Sequence, residues 1–319
     1  MNLMAMLATI GLRLDAAYTS ILGDKLEALR SKTYDLLFPT LKARMLIPTD
    51  TSIDTGAESH AYMEYSDVGM AKLIANYADD LPNVEVKGEK ITGTIEGIGV
   101  SYSLSLQDLR RSAMSGVDLP GKKARAARKF VERKIDDIAA VGDKATKLPG
   151  LLTHPNVTIL TAKNDGTATT WIRSGATANK IGMLILEDMH NMASSMVETT
   201  KGVHMPSTLL LPTKQRAHIA QTQVTGDNSL TILKSFLANS DSVTAVESWY
   251  KLATADAAGT GPRAVAYEKS PEILELIIPQ DFEQLPAQAK SLAFVTPCHA
   301  RCGGTVVYRP LGVIYQDGI

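Results

Sequence analysis

The chain has 319 residues, 45% of them hydrophobic and 21% charged, with a formal net charge of −1. A chain of this size buries roughly three quarters of the surface its unfolded form exposes, which suits one large domain or two modest ones. The near-neutral balance excludes a protein that grips nucleic acid or an anionic membrane by bulk charge, and two cysteines, Cys298 and Cys302, exclude a disulfide framework and suit a reducing compartment.

The first segment, Met1 to Leu14, is apolar, and its first cation is Arg13. A signal peptide needs a basic stretch first, so the segment reads as an amphipathic arm that docks on something. No apolar run in the chain reaches the roughly 18 residues of a spanning helix, so no membrane partner is expected. Helical fragments around Asp24–Leu29 and the stretch Tyr34–Phe38 follow, punctuated by Pro39 and Pro48, as in an extended arm.

From 46 to 105 the texture changes. Val84–Glu85–Val86–Lys87 alternates apolar and charged residues, and Ile98, Val100, Tyr102 and Leu104 alternate with Gly99, Ser101, Ser103 and Ser105. Period two predicts strands with one apolar face. His60–Tyr65 adds a further strand, and Gly88, Gly93, Gly97 and Gly99 allow turns or bulges. A two-stranded ribbon is marginal by itself in water, so a ribbon over 84–105 needs a partner, in its own core or on a neighbouring chain. Val84, Val86, Ile98, Val100, Tyr102 and Leu104 are the candidate contacts.

Ser105–Leu106–Gln107–Asp108 resembles a capping box, with Leu106, Leu109 and Ala113 on one helical face and Gly116 as the stop. A longer helix is predicted over 120–141: Asp118 caps it, Pro120 suits its first turn, and Ala124, Ala127, Val131, Ile135 and Ile138 form its apolar face up to Gly142. Its charges run against the macrodipole, with Lys122, Lys123, Arg125, Arg128 and Lys129 in the N-terminal half and Asp136 and Asp137 near the C-terminus. Either this is a solvated face, or Lys122, Arg125, Arg128, Asp136 and Asp137 meet complementary charges on other subunits, or the basic end faces phosphate.

Beyond the Pro149–Gly150 turn, residues 160–176 read as loop. A helix over about 178–199 carries Ile181, Leu184, Ile185, Met189, Met192 and Met196 on one face. Thr208–Leu211 reads as a buried strand, 213–222 as a helix, and Leu230–Leu233 as the start of another. Strands are expected at Ala264–Tyr267, Leu274–Ile278, Ala293–Val295, Gly304–Tyr308 and Val313–Tyr315. The class is mixed α+β.

The chemical motifs weigh little. Cys298–His299–Ala300–Arg301–Cys302 lacks the paired ligands of a zinc site and the order of a haem motif, so both thiols are expected to pack in the core. Glu187 and Asp188 are consecutive on a helix and do not face each other, which points to a solvated face. Ala258–Pro262 is expected to be a flexible tip, too short and isolated for a phosphate loop. No nucleophile elbow, Walker loop or His-Glu-x-x-His occurs, so no catalytic residue, metal or cofactor is expected.

The order of parts resembles the tailed-bacteriophage major capsid proteins of the Hong Kong ninety-seven fold. A glycine-rich, strand-rich excursion leads into Leu106–Arg110, then an alanine-rich helix Lys122–Val141 ending in Gly142–Asp143, then Gly150–Leu151–Leu152–Thr153–His154–Pro155–Asn156. The chain closes with Arg301–Gly304, Tyr308–Val313 and Asp317–Ile319. The resemblance implies an N-terminal arm over 1–45, an extended loop over 46–105, a peripheral domain over 106–182 with a spine helix at 120–141, an axial domain over 183–290, and return strands over 291–319. It further implies pentamers and hexamers in an icosahedral head around double-stranded DNA, within a virion assembled in the host cytoplasm. Scaffolding and portal proteins are the expected partners, a decoration protein a further one. No isopeptide motif carries over for Lys72, Lys87 or Lys90. Two alternatives stand beside this reading: an encapsulin-type cellular shell, and an α/β enzyme with an unrecognised site.

Overall fold

The computed structural model describes residues 39–72, 83–116, 118–164, 166, 168–172, 182–224 and 230–319. Two compact units divide the chain, Met1–Thr40 and Leu41–Ile319, and the elements below belong to the second. The expected arm, with its helical fragments at 24–29 and the stretch 34–38, lies outside the described residues up to position 38, as does Ile181.

A single helical turn, α1 (Ala43–Leu46), and a two-residue strand, β1 (Thr49–Asp50), open the unit. Three ten-residue strands follow: β2 (Ser59–Val68), β3 (Glu85–Thr94) and β4 (Glu96–Ser105). The stretch 84–105 is not one ribbon, as its alternation suggests. β3 and β4 are joined by Ile95 alone, which is buried, and an antiparallel hairpin needs a loop of about two residues or more. The chain therefore runs straight on into a different sheet. β3 pairs with β2, from Ser59↔Thr94 to Val68↔Glu85. β4 pairs along its whole length with β12 (Ala293–Cys302).

The two predicted helices form with the expected caps. In α2 (Leu106–Ser115) the Ser105 hydroxyl accepts from the Asp108 N–H at 3.0 Å, the Asp108 carboxylate accepts back from the Ser105 N–H, and Gly116 ends the helix at φ 69°. In α3 (Leu119–Val141) the Asp118 carboxylate accepts from the Gly121 N–H at 2.9 Å, and Gly142 stops the helix at φ 75°. The last carbonyls of α3 do not go unmet: Ala139 and Ala140 accept from the N–H groups of Leu151 and Leu152 at 2.9 and 2.8 Å. Ala127, Val131, Ile135 and Ile138 are buried, as their spacing predicts.

The remaining elements are β5 (Thr158–Thr161), α4 (Gly182–Thr199), β6 (Thr208–Leu211), α5 (Thr213–Gln221), α6 (Ile232–Asn239), β7 (Ala245–Ser248), β8 (Arg263–Tyr267), β9 (Leu274–Ile277), β10 (Gln280–Gln284), β11 (Gln288–Lys290), β13 (Gly304–Val307) and β14 (Val313–Asp317). Short 3₁₀ turns lie at Tyr250–Thr254 and Pro310–Gly312. The expected loop from 160 begins inside β5, which pairs in parallel with β14.

A five-stranded mixed sheet, in the order β5-β14-β8-β6-β7, divides the hydrophobic interior in two. Leu210, Val265, Tyr267, Val313 and Tyr315 project into one cluster with α3. Their neighbours Leu209, Leu211, Ala264, Ala266 and Ile314 project into the other with α4 and α6. Because both faces are covered, these strands read as continuous apolar runs rather than alternating ones. Two smaller sheets complete the unit: β1-β9-β13, and a four-stranded sheet in which β12 lies between β4 and the pair β10 and β11. The inner face of the latter, with Ile98, Val100 and Phe282, packs on the α3 cluster.

Candidate assembly interface

The β2–β3 ribbon stands with its outer half exposed on both faces. Directly paired residues share a face, and period two sorts the rest. One face carries Met63, Tyr65, Val84 and Val86, together with Lys90 opposite Met63 and Asp67 opposite Val86; Tyr65, Val84 and Val86 are 67%, 69% and 63% exposed. Tyr65 lies across Gly88, where an added Cβ would come within 3.2 Å of its ring. The opposite face carries Glu64, Glu85, Lys87 and Glu89, with Glu64 and Glu89 directly paired. Like charges so placed are unfavourable in an isolated ribbon.

At its root the ribbon rests on its own chain. Tyr62 meets Tyr308 edge-on at 4.8 Å, and the Tyr308 hydroxyl donates to Glu275 at 3.0 Å. Burial, followed by the Glu275 carboxylate, raises the Tyr308 phenol. His60 lies over Gly93, and its buried Nδ1 has no hydrogen-bond partner among the described residues. Burial lowers its imidazole below the ordinary range, and Asp50 opposes that in part.

The structure separates the six apolar residues singled out between 84 and 105. Val84 and Val86 are on the exposed ribbon. Ile98, Val100, Tyr102 and Leu104 alternate along β4 toward their own core: Leu104 is buried, Ile98 and Val100 pack on the α3 cluster, and the Tyr102 hydroxyl accepts from the Gln284 amide at 3.0 Å. Met63 and Tyr65 complete the apolar ribbon face. Their signal was the alternation Tyr62–Met63–Glu64–Tyr65, whose apolar residues fall on both faces until the pairing with β3 is known.

The charged residues of α3 also divide. Eight cations and three carboxylates lie between Leu106 and Arg133. The carboxylates are engaged: Asp108 caps α2 and lies 3.8 Å from Lys123, Asp118 caps α3, and Glu132 accepts from Arg44 at 3.0 Å. Lys122 and Arg125 have no ion pair among the described residues, and neither do Arg110 and Arg111 of α2. Arg128 flanks Asp281. Burial alone would raise that carboxyl, but the Phe282 N–H, Arg44 and Arg128 together hold it below its ordinary range.

Asp136 and Asp137, expected to be solvated or to face other subunits, have partners within the chain. Asp136 is 1% exposed and accepts from the N–H groups of Lys42 and Ala43 at 3.1 and 2.9 Å, while Asp137 pairs with Lys251. The carboxylates sit on the flank of α3 that receives the entering chain, which spacing within one helix does not reveal. Asp188, expected on a solvated face, is likewise buried: it accepts from the Trp171 indole N–H at 2.9 Å and the Lys163 N–H at 3.0 Å. Its neighbour Glu187 pairs with Lys163 at the surface.

Cys298 and Cys302 both fill the core beneath β12, and burial pushes the Cys302 thiol up to about 11. Among the described residues, no three histidine, cysteine or carboxylate groups stand close enough to hold a metal ion, and no helix is long and apolar enough to cross a membrane.

A family model described as Major capsid protein matches residues 69–319. No curated protein matches the chain. Solved structures share its fold at low identity. The capsid of Myoviridae Phage XM1 is 16% identical with a TM-score of 0.80, over 93% of this chain and 98% of that one. The capsid of the native GTA particle is 12% identical with a TM-score of 0.63, over 96% and 99%. A virus-like particle from Pyrococcus furiosus is 11% identical with a TM-score of 0.54, over 85% and 90%. With the match covering most of its length, from the ribbon through to Ile319, the chain belongs to the major capsid protein family.

Proposed function

We propose that this chain is the repeating subunit of an icosahedral phage head, forming pentamers and hexamers that close around double-stranded DNA. The exposed ribbon carries the reading. Met63, Tyr65, Val84 and Val86 form an apolar cluster, with Asp67 and Lys90 beside it, that a subunit in isolation leaves in water, and an outward arm of this kind suits the heterologous contacts a closed shell needs. In this reading the apolar face rests on an adjacent subunit, and the acidic face of Glu64, Glu85 and Glu89 comes near the cations Lys122, Arg125 and Arg128 of a neighbouring α3. Residues 46–105 act as the extended loop, 106–182 with 291–319 as the peripheral domain, and 183–290 as the axial domain. The role is structural rather than catalytic. Scaffolding and portal proteins direct the assembly, and the near-neutral charge of −1 suits a wall that holds DNA without binding it tightly.

Negative-stain electron microscopy of the purified full chain, alone and with the scaffolding protein of its phage, tests this. Ring-shaped capsomers or closed shells are expected. A folded protein that stays monomeric at high concentration under both conditions contradicts the reading.

A further inference from the structure

Among the described residues, no strand pairs with the edge of β4 that faces away from β12. In an antiparallel pair, residues alternate between those whose N–H and C=O point at the partner and those whose groups point away. Three contacts fix which are which. Leu106 donates its N–H to Leu292 at 2.9 Å, so the even-numbered residues of β4 face β12. The Ser103 carbonyl accepts from the Lys123 ammonium at 2.7 Å, on the far side. The Pro297 carbonyl, opposite Ser101, accepts from the Leu285 N–H at 3.0 Å and so points away from β4. The outward groups are therefore those of Gly97, Gly99, Ser101 and Ser103. All four residues are exposed, and Lys123 covers one carbonyl among them. The edge is about 20 Å long at about 3.3 Å per residue. No β-bulge interrupts its register with β12, and the side chains beside it are two glycines and two serines, so it lacks most of the devices that blunt exposed edges.

We propose that this edge is completed by strand addition from a second copy of the chain, whose β2–β3 ribbon lays one of its own outer edges along Gly97–Ser103. This rests on the shell-subunit reading above and names the mode of the contact: main-chain hydrogen bonds rather than side chains alone. The ribbon fits on two counts. Among the described residues β2 and β3 pair only with each other, so each has an unused edge of matching length. Its carboxylates Glu64, Glu85 and Glu89 also come beside Lys122 and Lys123, at the edge that receives it.

Ser101→Pro tests this, because it removes one outward N–H while leaving the bonds to β12 in place; proline is tolerated on a strand edge when its missing N–H faces solvent. Ser101→Ala, which keeps the N–H, is the control. The proline variant should match the control in circular dichroism and melting temperature yet lose about tenfold or more in capsomer yield, since one interface hydrogen bond is lost and a ring repeats that loss at every contact. A proline variant that assembles like the wild type overturns the proposal. If it does not fold, hydrogen exchange on the wild type decides: peptides covering 97–103 should gain protection on assembly, and unchanged protection overturns the proposal. A wild type that forms no assemblies at all counts instead against the shell reading.

Discussion

The Asp136 carboxylate accepts the backbone N–H of Ala43 at 2.9 Å, tying the long helix to the first turn of the unit. The same oxygen accepts from Lys42 at 3.1 Å, and Tyr250 donates to the other at 3.4 Å. Removing the side chain leaves two backbone donors without a partner in a buried place. Asp136→Ala should cost about 1–3 kcal/mol, within the range for orphaned buried groups and lost helix caps. The check is a urea titration of the subunit, in which the midpoint should fall while the slope stays constant. Asp136→Asn, which keeps one acceptor, should lose less.

A stronger effect is expected at Arg263. Its guanidinium is 4% exposed and makes a two-pronged contact with Asp317 at 2.6 and 2.8 Å, donates to the Leu152 carbonyl at 2.7 Å, and stacks over the Tyr315 ring at 4.5 Å. Arg263→Ala leaves the Asp317 charge uncompensated, which typically costs about 3–5 kcal/mol. Lysine cannot reproduce the fork, so Arg263→Lys should recover only part of the loss. Soluble yield and melting temperature of the two variants measure the difference.

Much of this framework was legible because it is local. Helix α3 declares itself through Asp118, Pro120, Gly142 and a regular apolar face, and α2 through its capping box. The period-two runs fell at the start of β3 and along β4, and the strand expected at His60–Tyr65 lies inside β2. What periodicity does not carry is partnership. Nothing in Val84–Ser105 shows that a one-residue junction at Ile95 sends its two halves to different sheets, or that β12, some 200 residues further on, takes up β4. The same limit governs Asp136 and Asp188. A carboxylate on a helix reads as solvated unless the donor is known, and here the donors arrive from residues 42–43 and from Lys163 and Trp171.

Acid should destabilise the subunit before its carboxylates titrate. Burial lowers the imidazoles of His60, His154, His190 and His218 below the ordinary value of 6.5. The unfolded chain therefore binds protons first as pH falls, and stability present above about pH 6.5 is lost below it. Glu275, raised by burial, works in the opposite sense, and only nearer its own range. The melting temperature should be flat from about pH 8 to 7 and fall between about 6.5 and 5. His60→Gln should make that fall shallower, most visibly in hydrogen exchange at the ribbon root, where Nδ1 has no partner among the described residues.

The ribbon permits a clean separation of folding from assembly. Val86 and Tyr65 are mostly exposed, so substitutions there should move subunit stability by no more than about 1 kcal/mol, the scale of a like-charge pair across a ribbon. Val86→Glu sets a second carboxylate directly opposite Asp67 on the face proposed to be buried against a neighbour, and a further unpaired charge so placed costs several kcal/mol at each contact. Capsomer formation should then fall by at least about a hundredfold, because about 2.8 kcal/mol already corresponds to that factor. Val86→Ile, which enlarges the apolar face, should assemble at least as well as the wild type. Analytical ultracentrifugation read against melting temperature distinguishes the cases: a glutamate variant that is stable and still assembles would show that this face stays in water within the shell.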